Sequence, residues 1–489
     1  MKKISKLLLS ITTTALIAGN VMAMSSCSFL PGAGGGNNDD YTNTKVVTGS
    51  VNSVAYDGSE VTISFYHTMG EALRTILDNH IVRFNELYPN IKVVHNSYGD
   101  YPGVRDQITT EMSGNGTAPS LAYCYPDHVA LYNKSKAVLT LDDFINNTEV
   151  GFTQEQINDF VPAYYNEGKV YGDDKMYTLP VLKSTEVLYY NKTYFEKNNY
   201  QVPTTWDDME TLLGTIATAE AAKGNKCIPL GYDSEANWFI TMTEQLGTPY
   251  TAIEGDSHFL FNTAENRAFV ERFRGWYQND WVTTEELNGG TYTSNLFKET
   301  DPKKLHTYMS IGSSAGAGYQ CPTKNNDGTY PFEVGIAMIP QSNPEDPKVI
   351  SQGPSVCLFK KSNEQEMAAA WLFAKFLTTD IQLQGAMSLN NGYCSAVQSI
   401  MNNETYAKQI AKADGNARLQ ATVIKKTMEM RDYYYVSPAF HGSSAARDEV
   451  GLLIQTCFSK DPTGGQTVAQ FIESEFAKSV SALSKRYDK

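Results

Sequence analysis

The feature that most constrains this chain is a change in apolar period just after residue 60. Val61-Thr62-Ile63-Ser64-Phe65-Tyr66 is β-branched or aromatic and reads as a strand. Leu73, Ile76, Leu77, Ile81 and Phe84 then recur at helical spacing, and after Pro89 the run Ile91-Lys92-Val93-Val94 returns to strand character. Strand, helix, strand in that order predicts a parallel βαβ unit and an α/β fold. Ser120 to Tyr125, following Pro119, and residues 179–190, with Val181, Val187, Leu188 and Tyr189, add further strands.

The later chain is richer in helix. Thr205-Trp206-Asp207-Asp208 has the spacing of an N-terminal capping box, and Met209, Leu212, Leu213 and Ile216 continue it as one apolar face. Ser362-Asn363-Glu364-Gln365 opens another helix, whose stripe is Met367, Ala370, Trp371, Ala374 and Leu377. Residues 265–281 and a last segment through Val468, Ile472, Phe476, Val480 and Leu483 repeat the pattern. With 489 residues there is material for two large lobes.

The N-terminus reads as an export signal. Lys2, Lys3 and Lys6 precede an apolar stretch, 7–23, diluted by Ser10, threonines and Asn20. Met24-Ser25-Ser26-Cys27 resembles the lipobox of bacterial lipoproteins. That resemblance implies a signal peptide over 1–26, acylation of Cys27 and anchorage at the outer face of the cytoplasmic membrane. The competing reading is simple cleavage after Ala23. Residues 27–59, with Gly34-Gly35-Gly36-Asn37-Asn38-Asp39-Asp40, lack any period that would bury a face and are expected to form a flexible tether.

Charge and motif chemistry exclude several classes of function. A net charge of −14 argues against a surface that tracks nucleic-acid phosphates. The six cysteines beyond Cys27 (Cys124, Cys227, Cys321, Cys357, Cys394 and Cys457) form no C-x-x-C pair and are read as free thiols. No H-E-x-x-H or Walker motif occurs, so neither a metal nor a nucleotide cofactor is expected.

Gly312-Ser313-Ser314-Ala315-Gly316 matches G-x-S-x-G, the nucleophile elbow of serine hydrolases. Only His441 follows it as a base, with Asp346, Asp380, Asp414 and Asp432 as candidate orienters, so the segment reads better as a cleft-lining loop. The adjacent acids Asp142-Asp143, Asp173-Asp174, Asp207-Asp208 and Glu285-Glu286 are better explained by caps and turns than by a glycosidase pair. Among 30 tyrosines and five tryptophans, Trp206, Trp276 and Trp371 lie on helical stripes and are expected in cores. Trp238, after a Gly/Asp turn, is expected at a cleft mouth, where aromatic faces pack on sugar rings.

The order of short motifs resembles the extracellular solute-binding proteins, family 1, of ABC importers. Phe65-Tyr66-His67-Thr68-Met69-Gly70 is similar to the family's opening strand, and Gly99-Asp100-Tyr101 to its G-N-Y turn. Ala118-Pro119-Ser120-Leu121 and Leu139-Thr140-Leu141-Asp142-Asp143-Phe144 follow. Then come Leu179-Pro180, Ser184 to Lys192, Pro203 to Asp207, Gln352-Gly353-Pro354-Ser355, Ala369 to Phe373 and Asn391-Gly392-Tyr393.

The resemblance implies an α/β, two-lobed periplasmic-binding-protein-like fold of type II, with lobe one at 60–191 plus 315–375 and lobe two at 192–314 plus 376–489. It implies a monomer that binds a mono- or oligosaccharide in the interlobe cleft, delivers it to permease subunits and catalyses nothing. By position, the ligand residues would be Tyr101, Ser184, Ser313 or Ser314, Gly353 and Tyr393. A glutamate of the glycerol-3-phosphate binders falls at Pro126, with Asp127 beside it as substitute. Their arginine's place falls on Ser444, with Arg447 three residues on, which favours a neutral sugar over a glycerol phosphate. A secreted serine or glycoside hydrolase and a surface adhesin are the alternatives from other classes.

Overall fold

The computed structural model describes residues 43–488; Cys27 and the leader lie outside the described residues. Ten strands build two sheets: β1 (Val61–His67), β2 (Ile91–Ser97), β3 (Leu121–Cys124), β4 (Leu179–Pro180), β5 (Glu186–Asn191), β6 (Leu230–Tyr232), β7 (Val282–Thr283), β8 (Met309–Ser313), β9 (Val334–Met338) and β10 (Ser355–Leu358). The helices used below are α1 (Glu71–Leu87), α2 (Tyr101–Gly114), α3 (Pro126–Tyr132), α4 (Trp206–Ala222), α5 (Glu235–Leu246), α6 (Ala264–Gln278), α7 (Glu364–Thr379), α8 (Ile381–Asn391), α9 (Ser443–Ser459) and α10 (Val468–Tyr487).

The first sheet has the order β2-β1-β3-β10-β4. Strands β2 and β3 run parallel to β1, as the βαβ reading expected, and the returning β10 is antiparallel to both β3 and β4. The second sheet has the order β9-β5-β8-β6-β7, with β5 antiparallel to both neighbours and β6 parallel to β7 and β8. Each sheet has its own core. Ile63, Phe65, Leu121 and Val356 pack with Trp371 and Phe373 of α7, whereas Val187, Leu188, Tyr189 and Ile311 pack with Trp206 of α4 and Trp276 of α6.

The sheets correct the expected lobe boundaries. Strand β5 was assigned to lobe one, yet it sits between β8 and β9 in the second sheet, so lobe two begins near Glu186. Strand β9 also belongs there, while Leu383 and Met387 of α8, expected in lobe two, are buried in the core of lobe one. The chain crosses between lobes at Ser184, whose backbone is hydrogen-bonded both ways with Gln352 at 2.9 Å. Two short pairings flank this crossing, Leu182–Lys183 with Cys394–Ser395 and Val349–Ile350 with Tyr434–Tyr435.

The C-terminal part of the expected tether is not free. Lys45 bridges to Thr117 and Val46 to Lys361, and Val51, Val54 and Tyr56 pack on the core of lobe one. These scattered apolar residues have no helical or strand period; they bury singly against a surface already formed. All six described cysteines are unpaired. Among the described residues, no helix is long and apolar enough to cross a membrane.

Candidate functional site

Parallel strands carry their following loops to one edge of a sheet, and ligands of open α/β sheets gather there. Beyond the end of β1 and β2, Gly99 adopts φ +83 and Asp100 caps α2 by accepting from the Gly103 amide at 2.7 Å. This turn fixes Tyr101 at the first position of α2. Its ring stacks on Tyr125, the residue following β3, with centroids 4.1 Å apart and planes inclined by 21°. Burial raises both phenols well above the ordinary tyrosine range, and pushes Tyr393 beside them up to about 12.

Two glycines let the crossing segments close on this aromatic group. Gly353 has φ +95, and a Cβ there would meet the Leu182 carbonyl oxygen at 2.6 Å. Gly392, with φ +104, ends α8, and a Cβ would meet the Ser314 carbonyl oxygen at 2.5 Å, so only glycine allows Tyr393 to turn in at that point. Below them, Lys183 and Glu167 form a fully buried ion pair at 2.7 Å. The Ser351 hydroxyl donates to the same carboxylate at 2.6 Å and Lys183 donates to the Gly353 carbonyl at 3.4 Å, which ties the crossing segments together.

A cleft of about 560 Å³ opens here, lined by Tyr125 and Asp127 of lobe one, Ser351 and Gln352 of the crossing, and Tyr250 and Arg447 of lobe two. Three buried polar atoms in it have no hydrogen-bond partner: Asp127 Oδ2, Gln352 Oε1 and the Tyr250 hydroxyl. Burying such atoms unpaired costs about 1–3 kcal/mol each, and a ligand that pairs them recovers this.

Arg447 is positioned by a relay. Its Nη2 donates to Asn237 Oδ1, while Asn237 Nδ2 donates to Glu186 Oε1 at 2.9 Å and the Tyr232 hydroxyl donates to Oε2 at 2.6 Å. Burial pushes the Glu186 carboxyl up to about 7. Helix α9 starts at Gly442, φ +126, where a Cβ would press on Tyr487 and Phe259. That start places Ser444 and Arg447, one turn apart, toward lobe one.

The expected site residues divide. Tyr101, Gly353 and Tyr393 surround Tyr125, and Asp127 lies in the cleft wall. Ser184 and Ser313 meet at the crossing, Ser313 Oγ donating to Ser184 Oγ at 3.4 Å. Ser314 is fully buried against Thr185, whose amide donates to its Oγ at 3.3 Å. His441 packs instead on Tyr487 with ring centroids 5.1 Å apart, so the hydrolase pairing of Ser314 with His441 is not assembled.

Trp238 is corrected outright: it is 0% exposed, between Tyr232 and Phe273 in the core of lobe two. Ser444 Oγ accepts a hydrogen bond from Arg105 of the opposite lobe at 3.2 Å. Tyr125, Tyr250, Gln352 and the relay of Glu186 and Asn237 were missed. The available signals were the end of a parallel strand for Tyr125 and the one-turn spacing from Ser444 for Arg447. Among the described residues no three His, Cys, Asp or Glu side chains converge as a metal shell requires.

A model of the bacterial extracellular solute-binding proteins matches residues 80–414. The sn-glycerol-3-phosphate-binding periplasmic protein UgpB of Salmonella typhimurium is 30% identical over 347 residues, covering 66% of this chain and 73% of that protein. Among solved structures, the GacH receptor of Streptomyces glaucescens, studied unliganded and with acarbose, matches with a TM-score of 0.65 at 16% identity over 88% of this chain and 99% of its own. UgpB from Mycobacterium tuberculosis, in complex with glycerophosphocholine, matches with a TM-score of 0.66 at 15% identity, with the same 88% and 99% coverage. The fold is therefore the two-lobed α/β fold of the type II periplasmic binding proteins.

Proposed function

This chain belongs to the bacterial extracellular solute-binding proteins, and from that premise we propose that it captures a neutral carbohydrate in the interlobe cleft for the permease of an ABC importer. It acts by binding alone, as a monomer held at the outer face of the cytoplasmic membrane through acylated Cys27. Tyr125 forms the aromatic wall, backed by Tyr101 stacked on it and by Tyr393, with Asp127, Gln352, Tyr250 and Arg447 as the polar contacts.

The observation that carries this reading is the unpaired carboxylate oxygen of Asp127 in the cleft wall, accompanied by Gln352 Oε1. Both are acceptors and call for ligand hydroxyl donors. A phosphate dianion offers none and is repelled by the carboxylate, so a glycerol phosphate would meet these acceptors only through its few glycerol hydroxyls. Arg447 supports a second reading: a guanidinium in the cleft suits a phosphate oxygen pair, and UgpB of Salmonella typhimurium is named for sn-glycerol 3-phosphate.

Calorimetry with a panel of mono- and oligosaccharides, glycerol 3-phosphate and glycerophosphocholine separates the two. A saccharide bound at micromolar Kd, about −8 kcal/mol, and weakened by Asp127→Asn supports the first. Glycerophosphate binding lost in Arg447→Ala, with no sugar bound, would replace it by the second.

A further inference from the structure

Away from the cleft, on lobe one, Lys136, Lys175 and Lys360 line a solvent-open cavity of about 890 Å³. Ser50, from the N-terminal segment that docks on this lobe, closes one side, and Asn133, Thr140, Asp143 and Tyr177 complete the polar lining. None of the three lysines has an ion-pair partner among the described residues. The contrast with nearby lysines is sharp. Lys361, the next residue in the chain, is buried with its ammonium 3.9 Å from Glu366 and donating to the Thr44 carbonyl, and Lys183 is paired with Glu167.

Burial, with the like charges of Lys175 and Lys136, holds Lys360 below the ordinary lysine range. Three lysines therefore line one cavity with Asp143, while Asp173 at its edge is held by the Tyr177 hydroxyl at 2.7 Å and forms no ion pair with them, in a protein whose net charge is −14. Such a cluster costs repulsion unless an anion sits among the charges.

We propose that this cavity binds a phosphate group. A tetrahedral oxyanion presents three or more acceptor oxygens to three ammonium donors, whereas a carboxylate offers only two, and the Asn133 amide and Ser50 hydroxyl add neutral donors. The same chemistry is presented by free inorganic phosphate and by an anionic phospholipid headgroup. The site lies on one lobe and does not depend on what the cleft holds.

The test uses the full-length chain carrying Cys27→Ala, so that acylation cannot mimic membrane binding. Inorganic phosphate is titrated by calorimetry at ionic strength held constant with chloride. Saturable binding is expected, weakened about fivefold by each of Lys136→Gln, Lys175→Gln and Lys360→Gln and absent in the triple variant, whose melting temperature in chloride stays that of the parent. In a second arm, flotation with phosphatidylglycerol vesicles is compared with phosphatidylcholine vesicles. Lysine-dependent capture by the anionic vesicles assigns a headgroup as the source, and phosphate binding without capture assigns a soluble phosphate. Phosphate binding and vesicle capture that are both absent, or both unchanged in the triple variant, overturn the proposal.

Discussion

Arg105 on α2 of lobe one donates a hydrogen bond to Ser444 on α9 of lobe two at 3.2 Å, and the same Nη1 reaches Asp448 at 3.3 Å. The Arg105 side chain is 17% exposed and Ser444 is buried, so their contact is shielded, whereas Asp448 is 65% exposed and its ion pair is open to solvent. The Arg105 contact joins the lobes directly beside the cleft, where a solute would also have to touch both. Contacts made only with the lobes together favour that arrangement in the same sense as the ligand does.

Removing this contact should therefore loosen the lobes without removing a wall of the site. Arg105→Ala is expected to weaken solute binding about tenfold, mostly as faster release, with Asp448→Asn giving a smaller effect that fades at high salt. Stopped-flow release rates check this. An unchanged release rate in Arg105→Ala would show that the contact contributes nothing to retention.

The aromatic residues should separate into two kinds. Trp238→Ala removes a fully buried ring from the core of lobe two and should cost about 3–5 kcal/mol of stability. Tyr101→Ala removes one face of a stacked pair at the cleft and should weaken ligand by about 1–3 kcal/mol with a smaller effect on folding. Parallel urea unfolding and calorimetry distinguish them; a Trp238→Ala variant that folds normally but binds poorly would return that residue to the site.

The difference between Tyr101 and Trp238 also marks what was legible in the sequence. Tyr101 sits in a local turn, Gly99-Asp100-Tyr101, whose glycine and capping aspartate are readable from neighbours in the chain. Trp238 also follows a turn, but its burial is decided by Phe273, Trp276 and Phe458, which are distant in sequence. The β1-α1-β2 unit was legible because its apolar period switches within one short segment. Strand β5 was legible as a strand yet assigned to the wrong lobe, since its two neighbours, β8 and β9, lie far along the chain. Ser444 meets Arg105 across 339 residues, a pairing that no spacing rule reaches.

Acid stability should depend on His67. Its Nδ1 accepts from the Met69 amide at 3.1 Å, so Nε2 carries the proton and donates to His95 Nδ1 at 2.8 Å, and His95 Nε2 in turn donates to Asp78. Burial, with smaller repulsion from His95 and Arg74, lowers the His67 pKa to about 3. A folded-state value below the unfolded 6.5 means the unfolded chain binds the extra proton. This contribution is complete above pH 6.5 and is lost as pH falls, by about 3 kcal/mol at pH 4. Urea unfolding of His67→Asn should be weaker at pH 7 but flatter between pH 6.5 and 4 than the parent; equal slopes would refute the assignment.

Glu186 should make ligand affinity depend on pH near neutrality. Its folded-state pKa of about 7 lies above the unfolded carboxylate value because burial outweighs the hydrogen bonds from Tyr232 and Asn237. The sign for stability is opposite to that of His67: the folded state takes up the proton first, so this group stabilises as pH falls from 7 toward 4.5 and costs stability above. For binding, the charged form matters more. A carboxylate accepts from Asn237 Nδ2 and so turns Oδ1 toward Arg447, whereas a protonated Glu186 becomes a donor that competes with Arg447 for the same amide oxygen. Solute affinity is expected to fall a few-fold between pH 8 and pH 6, and Glu186→Gln, which does not titrate, should flatten that profile. Arg447→Ala should remove both the affinity and its pH dependence. Calorimetry across this range, corrected for buffer ionisation, checks all three, and a pH profile retained in Glu186→Gln would place the titrating group elsewhere in the cleft.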